Sequence, residues 1–144
     1  MLDKIFNIAG SALNSQMVRM NLAASNLANV NSVSNTEEGA YRAKRAVFKT
    51  IVDDVASPKI EQGTGGYGGG VNIKNLTYDK NPVRKLFDPG NPLADKDGYV
   101  YQSNVSEVGE MVDMMSAARS YQNNVETVNT AKQLMMRTVE MLRN

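Results

Sequence analysis

The chain has 144 residues, 42% of them hydrophobic, and its 16 basic and 15 acidic side chains give a formal net charge of +1. This length suits one main domain with a small appendage, and the near-neutral balance without a basic stripe argues against nucleic acid as a partner. Because cysteine and histidine are both absent, the chain lacks thiolates, the usual general base and the commonest metal ligand. We therefore expect neither an enzyme nor a bound cofactor or metal.

The first residues do not match a cleavable signal peptide. Asp3 and Lys4 leave no basic region, and polar residues from Asn7 to Gln16 interrupt any apolar core. No stretch reaches the roughly 18 apolar residues that a membrane span requires. Taken alone, these patterns predict a protein that does not span a membrane and stays in the cytosol.

Residues 2–30 carry a helical pattern with apolar positions spaced alternately four and three apart. This period of 3.5 is typical of a helix that packs along another helix. Eight of the nine positions are apolar and Gln16 is the exception; they are Leu2, Phe6, Ala9, Leu13, Gln16, Met20, Ala23, Leu27 and Val30. The opposite face carries small uncharged side chains, mostly Asn and Ser. Either a second surface covers this face, or it is a solvated face that lacks charge.

The middle of the chain predicts loops and short strands. Poor helix formers from Asn29 to Thr36 indicate a loop, and Pro58 with the Gly-rich stretch 63–70 indicates another. The predicted strands are 41–52, 71–78 with a bulge, 83–87 returning after the turn Asn81-Pro82, and 98–101.

A second long helix is predicted from about residue 105 to residue 142. Asn104 and Glu107 are spaced as an N-terminal cap pair. The apolar stripe again has a mean spacing close to 3.5. It comprises Met111, Met115, Ala118, Tyr121, Val125, Val128, Ala131, Met135, Thr138 and Leu142.

We therefore predict an α+β fold in which long N- and C-terminal helices pair as an antiparallel coiled coil around a small β-rich middle segment. Residues 1–34 and 105–144 would form the paired helices, and residues 35–104 the loop and β element. Met114, Met136 and Met141 widen the second stripe beyond what one partner helix covers. They either complete a private core or meet neighbouring subunits, for which methionine is well suited.

Two glycine-containing segments resemble ligand-binding motifs but lack residues that those motifs require. The Gly-rich stretch 63–70 lacks the Lys-Ser or Lys-Thr that follows a phosphate loop. The segment Asp95-Lys96-Asp97-Gly98 lacks further calcium-loop ligands at the required spacing. Both are interpreted as loops or tight turns.

Three segments resemble one known family. They are residues 22–31 (LAASNLANVN) with Gly39-Ala40-Tyr41-Arg42 after a loop, residues 87–100 (FDPGNPLADKDGYV), and residues 110–135 (EMVDMMSAARSYQNNVETVNTAKQLM). Together they resemble the bacterial flagellar rod and hook proteins, and the middle segment resembles the proximal rod type. The resemblance covers essentially the whole chain.

The resemblance implies a structural subunit of the flagellar basal-body rod that polymerises through its terminal helices. These helices would form the inner, channel-lining layer and the middle segment the outer layer. The implied partners are copies of itself, other rod proteins, the base (MS) ring with rod-adaptor proteins, and the flagellar export apparatus. Export by that apparatus uses no cleavable signal, which would place the subunit in the periplasm-spanning rod.

We predict the assembly interface from the two apolar stripes. Its residues are Leu2, Phe6, Leu13, Met20, Leu27, Met111, Met115, Val125, Val128, Met135 and Leu142. The alternative function is a monomeric helical-hairpin adaptor or export chaperone, with the β segment as its recognition loop.

Overall fold

In the part of the chain that the structure describes, two long helices flank five short strands. The computed structural model describes residues 2–51 and 69–143. In chain order the elements are α1 (Leu2–Ala28), β1 (Val33–Ser34), β2 (Lys44–Ile51), β3 (Gly70–Tyr78), β4 (Arg84–Phe87), β5 (Tyr99–Gln102) and α2 (Glu107–Arg143). The predicted α+β class is confirmed. The loop predicted at Pro58 and most of the Gly-rich stretch 63–70 lie outside the described residues.

Strands β2 and β3 form an antiparallel pair that carries the predicted bulge. Val47 lies opposite Asn75, but the next residue, Phe48, lies opposite Ile73. Lys74 is thus the extra residue on β3, and the uneven apolar spacing of residues 71–78 is explained. Ser11 of α1 fixes the start of β3, because its hydroxyl accepts the backbone N–H of Val71 at 3.1 Å.

The second sheet has the order β1-β5-β4 and is antiparallel throughout. The prediction that β4 returns along β3 is wrong, since β4 pairs with β5 and Phe87 lies opposite Tyr99. Pro82 has no N–H for a continuing ladder, and the Asn81 carbonyl accepts from Asn104 Nδ2 at 2.8 Å instead. The two-residue strand β1 lies in the segment predicted to be a loop.

The start of α2 differs from the predicted cap pair. Ser106 caps this helix: its carbonyl accepts the N–H of Glu110 at 2.9 Å, and its hydroxyl accepts that of Gly109 at 3.3 Å. Asn104 instead joins separate segments, since its Oδ1 accepts the N–H of Ala43 at 2.8 Å. The prediction of Asn104 with Glu107 as the cap is therefore wrong.

The segment that resembles a calcium loop is a tight turn. Asp95 Oδ1 accepts the backbone N–H groups of Asp97 and Tyr99 at 2.9 and 2.8 Å. Gly98 has a φ of +79°, and a Cβ there would lie 3.0 Å from the ring of Phe87. Only glycine meets both conditions without strain.

The buried apolar side chains are small. They are Ala9, Ala23, Ala40, Ala43, Val100, Val105 and Ala117. Alanine on both helices permits close approach of their backbones but contributes little apolar area. Among the described residues, neither helix combines the length and the apolar character that crossing a bilayer would require.

Candidate assembly interface

A buried polar cluster joins the two helices to the first β pair. At its centre is Asn26, which is fully buried in the last turns of α1. Its Oδ1 accepts from the backbone N–H of Lys44 at 2.9 Å and from the Tyr41 hydroxyl at 3.1 Å. Its Nδ2 donates to the Lys44 carbonyl at 3.0 Å and to Glu110 Oε2 at 3.1 Å. All four hydrogen-bonding positions of the amide are therefore used.

Glu110 is the second buried member of this cluster, with 1% of its surface exposed. Arg45 of β2 lies across it, with Nη2 2.9 Å from Oε1 of Glu110 and Nη1 3.1 Å from Oδ2 of Asp113. Oε1 of Glu110 forms an ion pair with the Arg45 guanidinium, but no N–H group points toward it at an angle that would make a hydrogen bond. A buried carboxylate depends strongly on such a partner, because an unpaired charge in the interior is costly.

The Asn26 cluster, comprising Asn26, Tyr41, Lys44, Arg45 and Glu110, brings together the first and the last of the three segments on which the family resemblance depends. Asn26 belongs to residues 22–31, Tyr41 to the segment 39–42, and Glu110 opens residues 110–135. Sequence analysis did not identify Asn26, Arg45 or Glu110 as interface residues. The only sequence feature that pointed to this region was the occurrence of the three family segments in one chain, and that feature does not show which polar side chain is buried.

The α1 positions predicted for the interface lie mostly on the packed side of that helix. Phe6, Leu13, Met20 and Leu27 are half-buried, and Ala9 and Ala23 on the same stripe are buried. Leu2 is the first residue of α1.

The α2 positions divide into two groups. Val125, Val128 and Met135 are half-buried, whereas Met111, Met115 and Leu142 are exposed. Buried and half-buried side chains of α2 form a row spaced alternately four and three apart, and the half-buried Asp113, Ala118, Ser120 and Val125 flank it. The row is Glu110, Met114, Ala117, Tyr121, Asn124, Val128, Ala131 and Met135. It starts one residue before the predicted stripe and joins it at Tyr121. The assignment of all eleven predicted residues to contacts between subunits stays a prediction.

The single chain leaves much apolar surface uncovered. Large exposed hydrophobic side chains occur on both helices and on both sheets, including Ile5, Ile8, Met17, Leu76, Phe87, Val108, Val112 and Leu134. An exposed apolar surface of this extent marks a site of protein association.

Comparison with known proteins identifies the class to which this arrangement belongs. A family model described as the C-terminal part of flagellar basal body rod FlgEFG proteins matches residues 96–141. Flagellar basal-body rod protein FlgC of Escherichia coli O157:H7 is 46% identical over 140 residues, which cover 97% of each chain. The FlgC proteins of Salmonella typhimurium strain LT2 and Bacillus subtilis strain 168 are 45% and 36% identical, over 97% and 94% of each chain. The chain therefore belongs to the FlgC family of flagellar basal-body rod proteins.

Proposed function

We propose that the chain is a non-enzymatic structural subunit of the flagellar basal-body rod. It polymerises through its terminal helices to form the torque-transmitting shaft and the wall of the export channel. The observation that carries the proposal is the large exposed apolar surface on the helices of a chain related over 97% of its length to rod proteins. A shaft subunit needs such a surface, because every neighbour must be held by burial of apolar area.

In this proposal α1 and α2 form an antiparallel coiled coil. Asn26, near the end of α1, bonds Glu110 at the start of α2. Ile5, near the start of α1, lines a shallow groove with Ala131 and Leu134 of α2. The stretches 5–26 and 110–131 have equal length, as two helices that run side by side in opposite directions require. The four-three spacing of the half-buried row on α2 supports coiled-coil packing.

The chain is organised in two layers in the assembled rod. Residues 1–34 and 105–144 form the inner layer that lines the channel, and residues 35–104 form the outer layer. The neighbours are other copies, other rod proteins, and the base (MS) ring with rod-adaptor proteins. The subunit reaches the periplasm-spanning part of the basal body through the flagellar export apparatus.

The mechanical role depends on resistance to sliding between helices. Torque passes along a shaft only if neighbouring subunits keep their register, and interlocking side chains on long helices resist a change of register. The exposed, uncharged side chains of Asn7, Asn14 and Asn21 on α1 add hydrogen-bonding groups that do not repel their counterparts in a neighbouring subunit.

The test is to place a carboxylate on the packed stripe of either helix. Leu27→Asp or Val128→Asp is expected to abolish rod assembly and swimming, because burying an unpaired carboxylate costs several kcal/mol. Ala28→Asp and Asn129→Asp are matched controls, since each changes the adjacent, exposed residue and should leave swimming intact. Immunoblots of cell extracts establish that each variant accumulates. Normal swimming of bacteria that carry only Leu27→Asp or Val128→Asp would contradict the proposal.

A monomeric helical-hairpin adaptor or export chaperone is the competing function. It requires helices that cover each other's apolar faces within one chain. Val108, Met115 and Leu142 remain 72%, 62% and 84% exposed, which favours the rod subunit. Purified basal bodies that lack the chain, in cells that produce it and swim, would instead support the adaptor.

A further inference from the structure

The apolar surface of α2 is concentrated at its two ends. The leading patch consists of Val108, Met111, Val112 and Met115, all exposed and spaced to lie on one helix face. The trailing patch consists of Met136, Val139, Met141 and Leu142, all exposed. Between the patches the exposed residues of α2 are mostly polar, for example Arg119, Gln122, Glu126 and Gln133. The helix therefore has two separate surfaces for association.

The trailing patch lies beyond the end of the α1 contact. Ile5 lies beside Ala131 and Leu134, and α2 continues from there to Arg143, a further distance of about 13 Å at the rise of an α-helix. Val139 and Leu142 follow the half-buried Met135 at four and seven residues. They continue the packed stripe of α2 over a length where the described part of α1 no longer covers it.

The leading patch has a concave neighbour. Val112 and Met115 line a depression of about 380 Å³ together with Ser116, Arg119 and Asn123. An apolar floor with polar edges can receive an apolar side chain from another helix and still satisfy the polar groups around it. Leu142, the most exposed of the large apolar side chains at 84%, is suited to enter it.

The charges beside the two patches are opposite. Three carboxylates, Glu107, Glu110 and Asp113, adjoin the leading patch with two guanidinium groups, Arg45 and Arg119, so that end is net negative. Next to the trailing patch, Arg137 and Arg143 outnumber Glu140, so that end is net positive. Complementary charges of this kind favour one end meeting the other and disfavour contact between like ends.

We propose that the trailing patch of α2 in one subunit docks on the leading patch of α2 in a second copy of the chain. This inference rests on the proposed rod function and names the surfaces by which copies meet. Because the two patches differ, each bound copy still offers one free patch. Head-to-tail contacts of this kind propagate as an open helical series instead of closing as a dimer.

The first test uses the absence of cysteine from the chain, which makes an introduced thiol unique. Met115→Cys and Leu142→Cys are co-produced on separate chains, and isolated basal bodies are treated with a short bis-maleimide. A cross-linked pair of chains is expected with both variants present and not with either alone. The control replaces Met115→Cys by Met17→Cys, an exposed α1 position outside both patches, and should give no cross-linked pair.

The second test separates pairing from effects within one helix. Glu107→Arg and Arg143→Glu should each lower the cross-link yield about two- to fivefold, the range for an exposed ion pair. The two changes in one chain should restore the yield, because the reversed charges are again complementary between copies. Charges that acted only on their own helix dipole would give a larger loss in the double variant, and that result would overturn the inference.

The remaining outcomes separate the inference from the function on which it rests. Basal bodies that contain both variants but give cross-links only to other rod proteins, or none, overturn the copy-to-copy contact and leave the rod function standing. Basal bodies that lack even the unmutated chain overturn both.

Discussion

The amide of Asn26 is the point at which three distant stretches of the chain meet. Within one side chain, two donated and two accepted hydrogen bonds connect α1 to the start of β2, to Tyr41 and to α2. No apolar residue could replace it without leaving the N–H and C=O of Lys44 and the Glu110 carboxylate without these partners. Its stabilising effect therefore lies mainly in what its removal would leave unsatisfied.

Asn26→Ala is expected to lower the free energy of unfolding by about 3 kcal/mol or more, because several buried groups lose a partner and each costs about 1–3 kcal/mol. Asn21→Ala, at an exposed position of the same helix, should change it by less than about 0.5 kcal/mol. Urea unfolding followed by circular dichroism measures both. Equal stability of the two variants would show that the Asn26 cluster does not hold the helices together.

Sequence analysis could recognise residues 22–31 as a familiar segment but could not single out Asn26. Asn21, Asn26, Asn29 and Asn31 are chemically identical, and burial depends on which of them faces Tyr41 and Glu110. Those partners lie 15 and 84 residues away in the chain. The same limit applies to Glu110, whose carboxylate is atypical of a packed helix face.

The positions of the two helices could be predicted from the sequence, but the residues of α2 that pack against α1 could not. Helix α1 ends two residues before the predicted residue 30, and α2 runs from Glu107 to Arg143. The prediction followed the methionines at 111 and 115, because apolar character was its only guide. The packed row instead follows Glu110, Met114 and Ala117, since hydrogen bonds to Asn26 and the ion pair with Arg45 make a buried carboxylate acceptable at that end.

Strand positions were also predicted better than strand pairing. Local signals placed β2 to β5 within a few residues, because alternation and turn residues act over short distances. The pairing of β4 with β5 and the presence of β1 depend on contacts across long separations. The side chain of Asn104, which bonds Ala43 and Asn81, is one such contact.

The close approach of the helices near the Asn26 cluster gives a prediction for Ala117, which is fully buried two turns after Glu110. Ala117→Leu is expected to destabilise the chain by about 1–3 kcal/mol, because the larger side chain forces the helices apart. Ser116→Leu adds a similar volume at the adjacent exposed position and should change little. Thermal unfolding distinguishes them, and a higher melting temperature for Ala117→Leu would contradict close packing at this site.

For the whole molecule, burial is concentrated at one end of the helix pair. Asn26, Val100, Ser103, Val105, Glu110 and Ala117 are almost fully buried, whereas the last two turns of α2 are exposed on every side. Stability should therefore be graded along the helices, since local opening is easiest where few contacts are made.

Hydrogen exchange of the purified monomer, measured peptide by peptide with mass spectrometry, should reveal this gradient. Fast exchange is expected over residues 1–12 and 130–144, with slower exchange over residues 20–28, 99–105 and 107–121. In assembled rods the fast segments should become protected, because neighbours then cover them. Uniform strong protection of both helices in the monomer would contradict the gradient and favour the self-contained hairpin.

The hydrogen bond between Asn26 and Glu110 also constrains the order in which parts of the chain can fold. Its two partners are separated by 84 residues, so a chain that emerges from the ribosome amino end first cannot complete this contact until most of its length is available. Closing so long a loop is slow compared with forming either helix. A newly made subunit therefore passes through a period in which Asn26 can reach Lys44 and Tyr41 but not Glu110, and the two helices can be joined at this point only after about the last quarter of the chain has been made.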